Sequence, residues 1–454
     1  MFKFTLMLAV ISLLSVSQVQ AAELVGRAIL AADTFAPGST SGQFKKTQRT
    51  TPFLFAQPVQ GFSCVELGPK EGTFYVISDN GFGAKSNSLD SVLRIYAVEP
   101  DFFTGKVYPV DFQTGERLVR FSRQSFIELN DRNKKANFST VAEQVNYPLS
   151  NIAVSQRIKI NRLLTGGDFD PESFRRLEDG SFWVGDEFGP FLLHFDKTGE
   201  LLAPPIPLPN FAQKGTEEFV KSPDNPEFAS FPEPKRTSEA NLGGSSGFEG
   251  LAINTSKTKL YAMLEGVLKK DVPTRLLINE FDIANQKYTG RVFAYKLENA
   301  SHAIGELTAV NDNEYIVIER DKNQGDPNNP AFKTPASFKR LYKINLDKVN
   351  KAGFVEKELL LDLLNISDPK GIGTNATKNG VFAFPFVTIE SVLPLDARTL
   401  LVINDNNYAD SIGRIPKQAD NTEFIKIKLD TPLNLTVTSG TTASMRQNAY
   451  SDSK

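Results

Sequence analysis

The feature that most constrains the fold is a strand–turn–strand pattern that recurs along the chain. The clearest copy runs from Gly166 to Pro190 (GGDFDPESFRRLEDGSFWVGDEFGP), where two apolar runs flank a turn at Glu178-Asp179-Gly180. A hairpin with this turn brings its two open ends together, and both ends carry acids. Carboxylates crowded in this way repel one another unless a cation lies among them or one of them holds a proton.

The same pattern returns four more times with nearly constant spacing between its first and last polar residues. The spacings are 16 residues for Ser63–Asp79, 15 for Glu172–Glu187, 16 for Glu249–Glu265, 14 for Glu306–Arg320 and 15 for Glu390–Asp405. Further strand-like segments follow several copies, which is typical of a β-propeller. We therefore predict an all-β propeller. Five repeats are clear, and a sixth that combines Leu24–Leu30 with Glu423–Leu429 closes the ring. Six blades are expected, with five or seven as alternatives.

The ends of the chain differ in composition from the repeats. Lys3, an apolar run from Phe4 to Val16 and the sequence Val19-Gln20-Ala21 predict a signal peptide over residues 1–21. No later segment is apolar enough to cross a bilayer, so we expect a protein exported to the periplasm or secreted. Residues 22–437 are predicted to form one domain with a surface insertion at 204–244, and residues 438–454 a disordered tail. Helical periodicity is weak except at 331–339.

Composition excludes several kinds of site. The 51 basic residues nearly balance the 53 acidic ones, which argues against a nucleic-acid partner. One cysteine and two histidines make a zinc or copper site of the usual type unexpected. We interpret Cys64 as a small core residue. A metal site in this chain has to use oxygen ligands.

The acids of the repeats are the candidates for such a site. In a propeller the innermost strands line a central channel, so acids at equivalent strand ends converge on one mouth. The predicted metal ligands are Asp79, Glu172, Asp186, Glu187, Glu249, Glu265, Glu306, Glu390 and Asp405. Hard cations such as Ca²⁺ take six to eight oxygen ligands of this kind. The alternative is that some acids cap turns or pair with Arg175, Arg176, Arg320 or Lys370.

Four segments together resemble a known family. They are GGDFDPESFRRLEDGSFWVGDEFGPFLLHFD, GFEGLAINTSKTKLYAMLEG, GELTAVNDNEYIVIERD and IESVLPLDARTLLVINDNN, and TFAPGSTSGQF (residues 34–44) is similar to the N-terminal segment of the same family. The sequence resembles the phytase-like family labelled "esterase-like activity of phytase", from about Val25 to Leu429. The resemblance implies a β-propeller and Ca²⁺-dependent hydrolysis of phosphoric monoesters.

Such a reaction needs no serine or cysteine nucleophile, because cations held by carboxylates can bind phosphate oxygens and orient a water. Arg320, Glu187 and Asp170 are the candidate catalytic residues, and Arg320, Lys370 and Arg275 the candidate ligands of an anionic ester substrate. Two alternatives remain open. One is a carboxylesterase or lactonase on the same scaffold, and the other is a non-catalytic propeller that calcium stabilises.

Overall fold

The structure is a computed structural model that describes residues 22–45, 51–212 and 218–436. The predicted signal peptide and the predicted tail at 438–454 lie outside the described residues. The described part is almost entirely β-structure, with two short α-helices and four 3₁₀ turns. Among the described residues, no helix has the length and apolar character needed to cross a bilayer.

The first half of the chain contains strands β1 (Ala22–Leu30), β2 (Phe35–Pro37), β3 (Ala56–Pro58), β4 (Cys64–Leu67), β5 (Phe74–Ile77), β6 (Arg94–Asp101), β7 (Lys106–Pro109), β8 (Phe126–Glu128), β9 (Pro171–Arg176), β10 (Phe182–Asp186), β11 (Phe191–Phe195) and β12 (Ile206–Pro207). The second half contains β13 (Phe248–Ile253), β14 (Lys259–Leu264), β15 (Arg275–Asp282), β16 (Lys287–Lys296), β17 (Ala303–Ala309), β18 (Glu314–Arg320), β19 (Lys339–Val349), β20 (Val355–Asp362), β21 (Ile366–Ser367), β22 (Thr377–Lys378), β23 (Val381–Phe382), β24 (Thr388–Pro394), β25 (Thr399–Asp405) and β26 (Thr422–Leu429). The helices are α1 (Gln156–Asn161) and α2 (Glu233–Glu239), and the 3₁₀ turns are Lys85–Asn87, Val141–Glu143, Pro226–Phe228 and Thr374–Ala376.

The described strands form five antiparallel units, each opened by one of the predicted hairpins. Three are separate four-stranded sheets, β9 to β12, β13 to β16 and β17 to β20. In the first unit β4, β5 and β6 pair in order, and both β7 and β8 pair with β6. The first strands of the units pack in the cyclic order β4, β9, β13, β17, β24 and back to β4. The molecule is therefore a β-propeller with these five strands around its axis.

The two ends of the described chain meet in the fifth unit. β1 pairs with β26 from Ala22 opposite Leu429 to Leu30 opposite Thr422, and β26 pairs with β25. The predicted pairing of these end segments is confirmed, but they complete the sheet of β24 and β25 rather than a sixth sheet. The alternating burial of β1 gives the reason. Its inward residues, such as Leu24 and Ala28, enter the same apolar clusters as β26 and leave no second face for another unit.

Apolar contacts between units hold the ring together. Trp183 on β10 stacks on His194 of the same unit, with ring centroids 4.3 Å apart. It also meets Phe281 on β15 of the next unit edge-on at 5.1 Å. His194 is thus a packing residue between strands. Aromatic burial of this kind contributes strongly to cohesion, which explains the single tryptophan at this position.

Residues 218–244, a described part of the predicted surface insertion, contact the second unit. Ser222 Oγ donates to the carbonyl of Phe188 at 2.7 Å, and Asn225 Nδ2 donates to the carbonyl of Gly189 at 2.8 Å. These bonds tie the segment to the loop that follows β10.

The helix predicted at 331–339 is wrong: residues 331–338 form turns and extended backbone, and Lys339 begins β19. Pro335 lacks the N–H that a helix interior needs.

Candidate metal and active site

Bulges in the first strands turn single residues toward the channel mouth. The pairing of β9 with β10 skips Glu172, that of β13 with β14 skips Glu249, and that of β24 with β25 skips Glu390. A bulge leaves one residue unpaired and redirects its side chain, and bulges are common next to active sites. Three glutamates at the same point of three units therefore reach one place.

The second strands supply the other half of the mouth. Glu187 and Glu265 directly follow β10 and β14. Arg320 and Asp405 are the last residues of β18 and β25, and Asp79 lies two residues after the end of β5. We call the set formed by the bulge glutamates, these five residues and Asp170 the acidic ring. The ring thus contains one basic residue among eight carboxylates.

Glu306, which the spacing placed in this set, lies elsewhere. The residue skipped in the pairing of β17 with β18 is Gly305, so Glu306 lies one residue further along the strand. A Cβ atom on Gly305 would lie 2.0 Å from the carbonyl oxygen of Ile389 on β24. Only glycine fits this close approach of two first strands. The 14-residue spacing of this repeat was the sign of the shift.

Glu306 instead belongs to a buried cluster beneath the mouth. Its Oε1 accepts from Arg175 Nη2 at 3.1 Å, and its Oε2 lies 3.1 Å from Cys64 Sγ. Arg175 is on β9 and Glu306 on β17, which are not neighbours in the ring of first strands. This contact therefore spans the channel.

Asp79, Asp170 and Glu172 form the tightest acidic group of the described residues. A carboxylate oxygen of each lies within 4.8 Å of the others. Asp170 is held by Asn80, whose backbone N–H donates to Oδ1 at 3.0 Å and whose Nδ2 donates to Oδ2 at 2.7 Å. Gln60 Nε2 donates to Asp79 Oδ1 at 3.1 Å. Gln60 precedes the first repeat, so no repeat pattern marked it.

Two further predicted or neighbouring acids support loops. Asp186 Oδ1 accepts from the backbone N–H of Asp170 at 2.8 Å, and its Oδ2 accepts from that of Gly189 at 2.7 Å. Asp168 accepts from the backbone N–H groups of Val141 and Thr165 at 2.7 and 2.8 Å. Asp186 therefore helps to position the backbone of Asp170, and both carboxylate oxygens of Asp186 accept hydrogen bonds from backbone N–H groups.

Arg320 contacts three other carboxylates of the ring. Its Nη2 is 3.2 Å from Glu265, 3.3 Å from Glu390 and 3.7 Å from Glu249. The side chain is 7% exposed, so little solvent screens these contacts.

Lys370 and Arg275, the other two predicted substrate ligands, lie on outer parts of the units. Lys370 pairs with Glu23 at 3.1 Å with two thirds of its side chain exposed, and Arg275 pairs with Asp271.

The acids of the ring hold protons more tightly than usual. Burial and then the charge of Asp79 raise the pKa of Asp170 to about 8. Burial and neighbouring carboxylates raise the pKa of four glutamates well above its ordinary value: Glu172, Glu187, Glu249 and Glu390. Oε1 of both Glu187 and Glu249 is buried and has no hydrogen-bond partner among the described residues. Buried carboxylate oxygens without a hydrogen-bond partner suit a hard cation.

A cleft of about 270 Å³ opens beside the ring at Glu265. Lys322 and His302 contribute polar groups to its wall, and Val267, Pro273 and Leu297 contribute apolar ones. A larger cavity of about 570 Å³ lies on the outer strands β19 and β20. Only the smaller cleft adjoins the acidic ring, so it is the better candidate for the organic part of a substrate.

Comparison with known proteins gives a family match over most of the ring. Residues 57–408 match the phytase-like family described as "Esterase-like activity of phytase". A protein of Arthroderma benhamiae named "Uncharacterized secreted protein" is 26% identical over 181 residues, which cover 34% of this chain and 35% of that protein. The chain thus spans about a third of the length of the curated relative that it matches.

Solved structures match at low identity over most of the chain. Regucalcin from Agrobacterium tumefaciens, called a calcium-binding protein, is 10% identical, with 90% of this chain and 97% of that chain covered and a TM-score of 0.35. The Bacillus subtilis arabinanase Arb43A is 10% identical, with coverage of 82% and 94% and a TM-score of 0.35. A GH43 β-1,3-galactosidase with galactodeoxynojirimycin is 11% identical, with coverage of 86% and 94% and a TM-score of 0.38. The fold assignment itself rests on the strand pairing described above.

Proposed function

Since this chain belongs to the phytase-like family described as "Esterase-like activity of phytase", we propose that it is an exported hydrolase of phosphoric monoesters that works with Ca²⁺ at the acidic ring. The observation that carries the proposal is the group of Asp79, Asp170 and Glu172. Its oxygens lie within 4.8 Å of one another at the open mouth of the channel. Three carboxylates this close need a cation or protons among them.

These three residues would hold the cation. Each offers one carboxylate oxygen to a common point, and water and substrate oxygens can complete the six to eight ligands that Ca²⁺ takes. Asn80 and Asp186 fix the position of Asp170, and Gln60 fixes that of Asp79. When bound, Ca²⁺ would offset the charge of phosphate oxygens and orient the substrate.

Lysines around the mouth favour an anionic substrate. Lys322 lies in the wall of the cleft, and its charge acts on Glu265. The charge of Lys45 acts on Asp79, and that of Lys85 acts on Asp186. A phosphate ester gains from such a rim, whereas a neutral lactone does not.

Glu187 is the proposed general base. Its Oε1 has no hydrogen-bond partner among the described residues, and its backbone N–H donates to the carbonyl of Asp170 at 2.9 Å. The charge of Asp170 acts on its carboxyl group, so Glu187 lies near the proposed cation ligands. It would accept a proton from the attacking water as the water oxygen bonds to phosphorus. The phosphorus–oxygen bond to the alcohol then breaks, and the alcohol takes a proton from solvent.

A carboxyl ester is the second candidate substrate. The apolar wall that Val267, Pro273 and Leu297 give to the cleft suits an acyl chain or a lactone ring. This wall lies next to Glu265 of the ring, so the same cation chemistry could polarise a carbonyl. The two candidates differ in the charge of the substrate rather than in the ligands of the cation.

Parallel assays separate the candidates. The purified protein is given p-nitrophenyl phosphate, phytate and p-nitrophenyl butyrate, each with Ca²⁺ and with chelator. Phosphate release that needs Ca²⁺ supports the proposal, and butyrate cleavage alone supports the carboxylesterase. If none of the three substrates is hydrolysed and Ca²⁺ still raises the melting temperature, the protein is a binding propeller that calcium stabilises.

Matched variants on one hairpin test the site itself. Glu172→Gln removes a proposed cation ligand, whereas Glu178→Gln changes an exposed acid at the far end of the same hairpin. Loss of phosphate release in the first variant only is expected. Equal activity in both would contradict the assignment of Glu172.

Export is proposed from the first residues of the sequence, and the Arthroderma benhamiae relative is named a secreted protein. Expression of the full chain in a bacterial host with a Sec pathway, followed by amino-terminal sequencing, tests it. A mature chain that begins at Ala22 outside the cytoplasm is the expected result. An uncleaved cytoplasmic chain would contradict the export signal.

A further inference from the structure

The acidic ring has two parts. The carboxylates of one part contact a positively charged side chain, and those of the other part contact none that the structure describes. The units contribute an acid at the end of the second strand in four cases, and Arg320 in the fourth unit is the exception. Arg320 reaches carboxylates of both neighbouring units. Glu249 and Glu265 come from the third unit and Glu390 from the fifth.

The part around Arg320 is already occupied by positive charge. One guanidinium nitrogen lies 3.2 to 3.7 Å from three carboxylates. The other part, made by Asp79, Asp170 and Glu172, has no ion pair with a lysine or arginine in the portions of the chain that the structure describes. The first part therefore has a positive charge among its carboxylates, and the second part is the one that a divalent cation would neutralise.

Arg320 satisfies its partners incompletely, as a substitute for a metal ion would. Glu249 is 4% exposed, and its Oε1 has no hydrogen-bond partner among the described residues, although it lies 3.7 Å from the guanidinium. Nε of Arg320 is also buried and lacks a partner. A planar fork cannot serve three converging carboxylates at once, whereas a spherical ion can.

From this geometry we infer that Arg320 occupies the place of a second cation and so limits the ring to one Ca²⁺, at Asp79, Asp170 and Glu172. This inference rests on the proposed cation site. Arg320 is then a positioning residue with a fixed charge, and it holds Glu249, Glu265 and Glu390 together. Anions are recognised by the bound cation and the rim lysines rather than by a free guanidinium.

The number of bound cations tests the inference without any assay of activity. Arg320→Met removes the charge but keeps an unbranched apolar side chain. Calorimetric titration with CaCl₂ and metal counting on the desalted protein are expected to give one more Ca²⁺ per chain in Arg320→Met than in the wild type. Arg340→Met is the matched control. It removes an arginine of the neighbouring strand β19, which pairs with Asp362 at 3.1 Å, and it should leave the count unchanged.

The outcomes separate the inference from the proposed function. An equal count in the wild type and Arg320→Met overturns the inference, whatever the activity. A wild type without bound Ca²⁺, with one ion in Arg320→Met, supports the role of Arg320 and removes the basis of the Ca²⁺-dependent hydrolysis.

Folding is controlled by a second variant. Arg320→Lys keeps one positive charge and is expected to keep the wild-type count. If Arg320→Met folds only in the presence of Ca²⁺, refolding in CaCl₂ followed by native mass spectrometry gives the count. A folded Arg320→Met with the wild-type number of ions then overturns the inference, and one with an extra ion supports it.

Discussion

At the scale of single residues, a one-residue bulge decides which side chains meet. Glu172, Glu249 and Glu390 reach the mouth because the strand pairing skips them. At the same point β17 carries Gly305, since the backbone of Ile389 leaves no room for a side chain. The chemistry of the ring therefore depends on backbone register as much as on residue type.

Substitution of a bulge glutamate is expected to weaken cation binding. Glu172→Gln keeps the shape of the side chain but removes one of the three charges in the tightest acidic group. We expect the Ca²⁺ dissociation constant to rise at least about tenfold, measured by calorimetry. Glu178→Gln serves as control on the same hairpin. An unchanged constant in Glu172→Gln would show that the cation binds elsewhere.

Gly305→Ala tests the close approach of β17 and β24. The added Cβ would lie 2.0 Å from a carbonyl oxygen, so a first strand has to move. A loss of about 1–3 kcal/mol in the free energy of unfolding is expected, measured by urea denaturation. Gly244→Ala is the control, because a Cβ there has no neighbour within 4 Å. Similar stability of the two variants would contradict the predicted clash.

At the scale of elements, β1 and β26 close the ring through an ion pair between their side chains as well as through backbone hydrogen bonds. Glu423 on β26 accepts from Arg27 on β1 at 2.9 and 2.7 Å, and from Arg414 at 2.9 and 3.0 Å. Burial alone would raise the pKa of Glu423, but Arg414 and Arg27 outweigh it and lower the pKa to about 2. A carboxylate held between two guanidinium groups is strongly charge-assisted.

The depressed pKa of Glu423 predicts a dependence of stability on pH. Because the folded pKa is about 2 and the ordinary value is 4.5, the contribution is fully present above pH 4.5 and is lost as the pH falls toward 2. It amounts to about 3 kcal/mol above pH 4.5. Unfolding of the wild type and Glu423→Gln is compared from pH 6 to pH 2.

The difference in unfolding free energy between the two proteins should shrink over the acid half of this range. Glu116→Gln is the control, since its ion pair with Lys70 is exposed on both sides. A difference that stayed constant down to pH 2 would mean that the pKa of Glu423 is not depressed.

The sequence predicted the individual strands better than their register and their packing between units. Short apolar runs on either side of a polar turn located all five hairpins. The register at Gly305 was not predictable in this way, since the clash that selects glycine involves Ile389, more than eighty residues away. The contact between Arg320 and Glu390 likewise depends on packing between units.

At the scale of the whole molecule, the site belongs to the ring and not to any one sheet. Its carboxylates come from units one, two, three and five, and Arg320 comes from unit four. Sequence repeats predicted this convergence, and the pairing of the two end segments was also predicted, but not that the pair would join the sheet of β24 and β25. A bound cation at the mouth therefore contacts groups from more than one unit and stabilises their packing.

Removal of calcium is expected to lower the melting temperature. A ligand at 100 times its dissociation constant adds about 2.7 kcal/mol to the unfolding free energy, which corresponds to a few degrees for a chain of this size. Differential scanning fluorimetry with CaCl₂ and with chelator measures the shift, and Glu172→Gln should reduce it. The same melting temperature in both conditions would contradict a cation site in the folded ring.

The pairing of Ala22 with Leu429 has a consequence for how the molecule is made. A ribosome has to release nearly the entire domain before the fifth sheet can acquire its outermost strand. Until then β25 presents an unpaired edge of apolar residues, a template for aggregation. The partners are separated by about four hundred residues, so the closing step is non-local and slow. The ring is complete only when β26, the last described strand, has joined both β25 and β1.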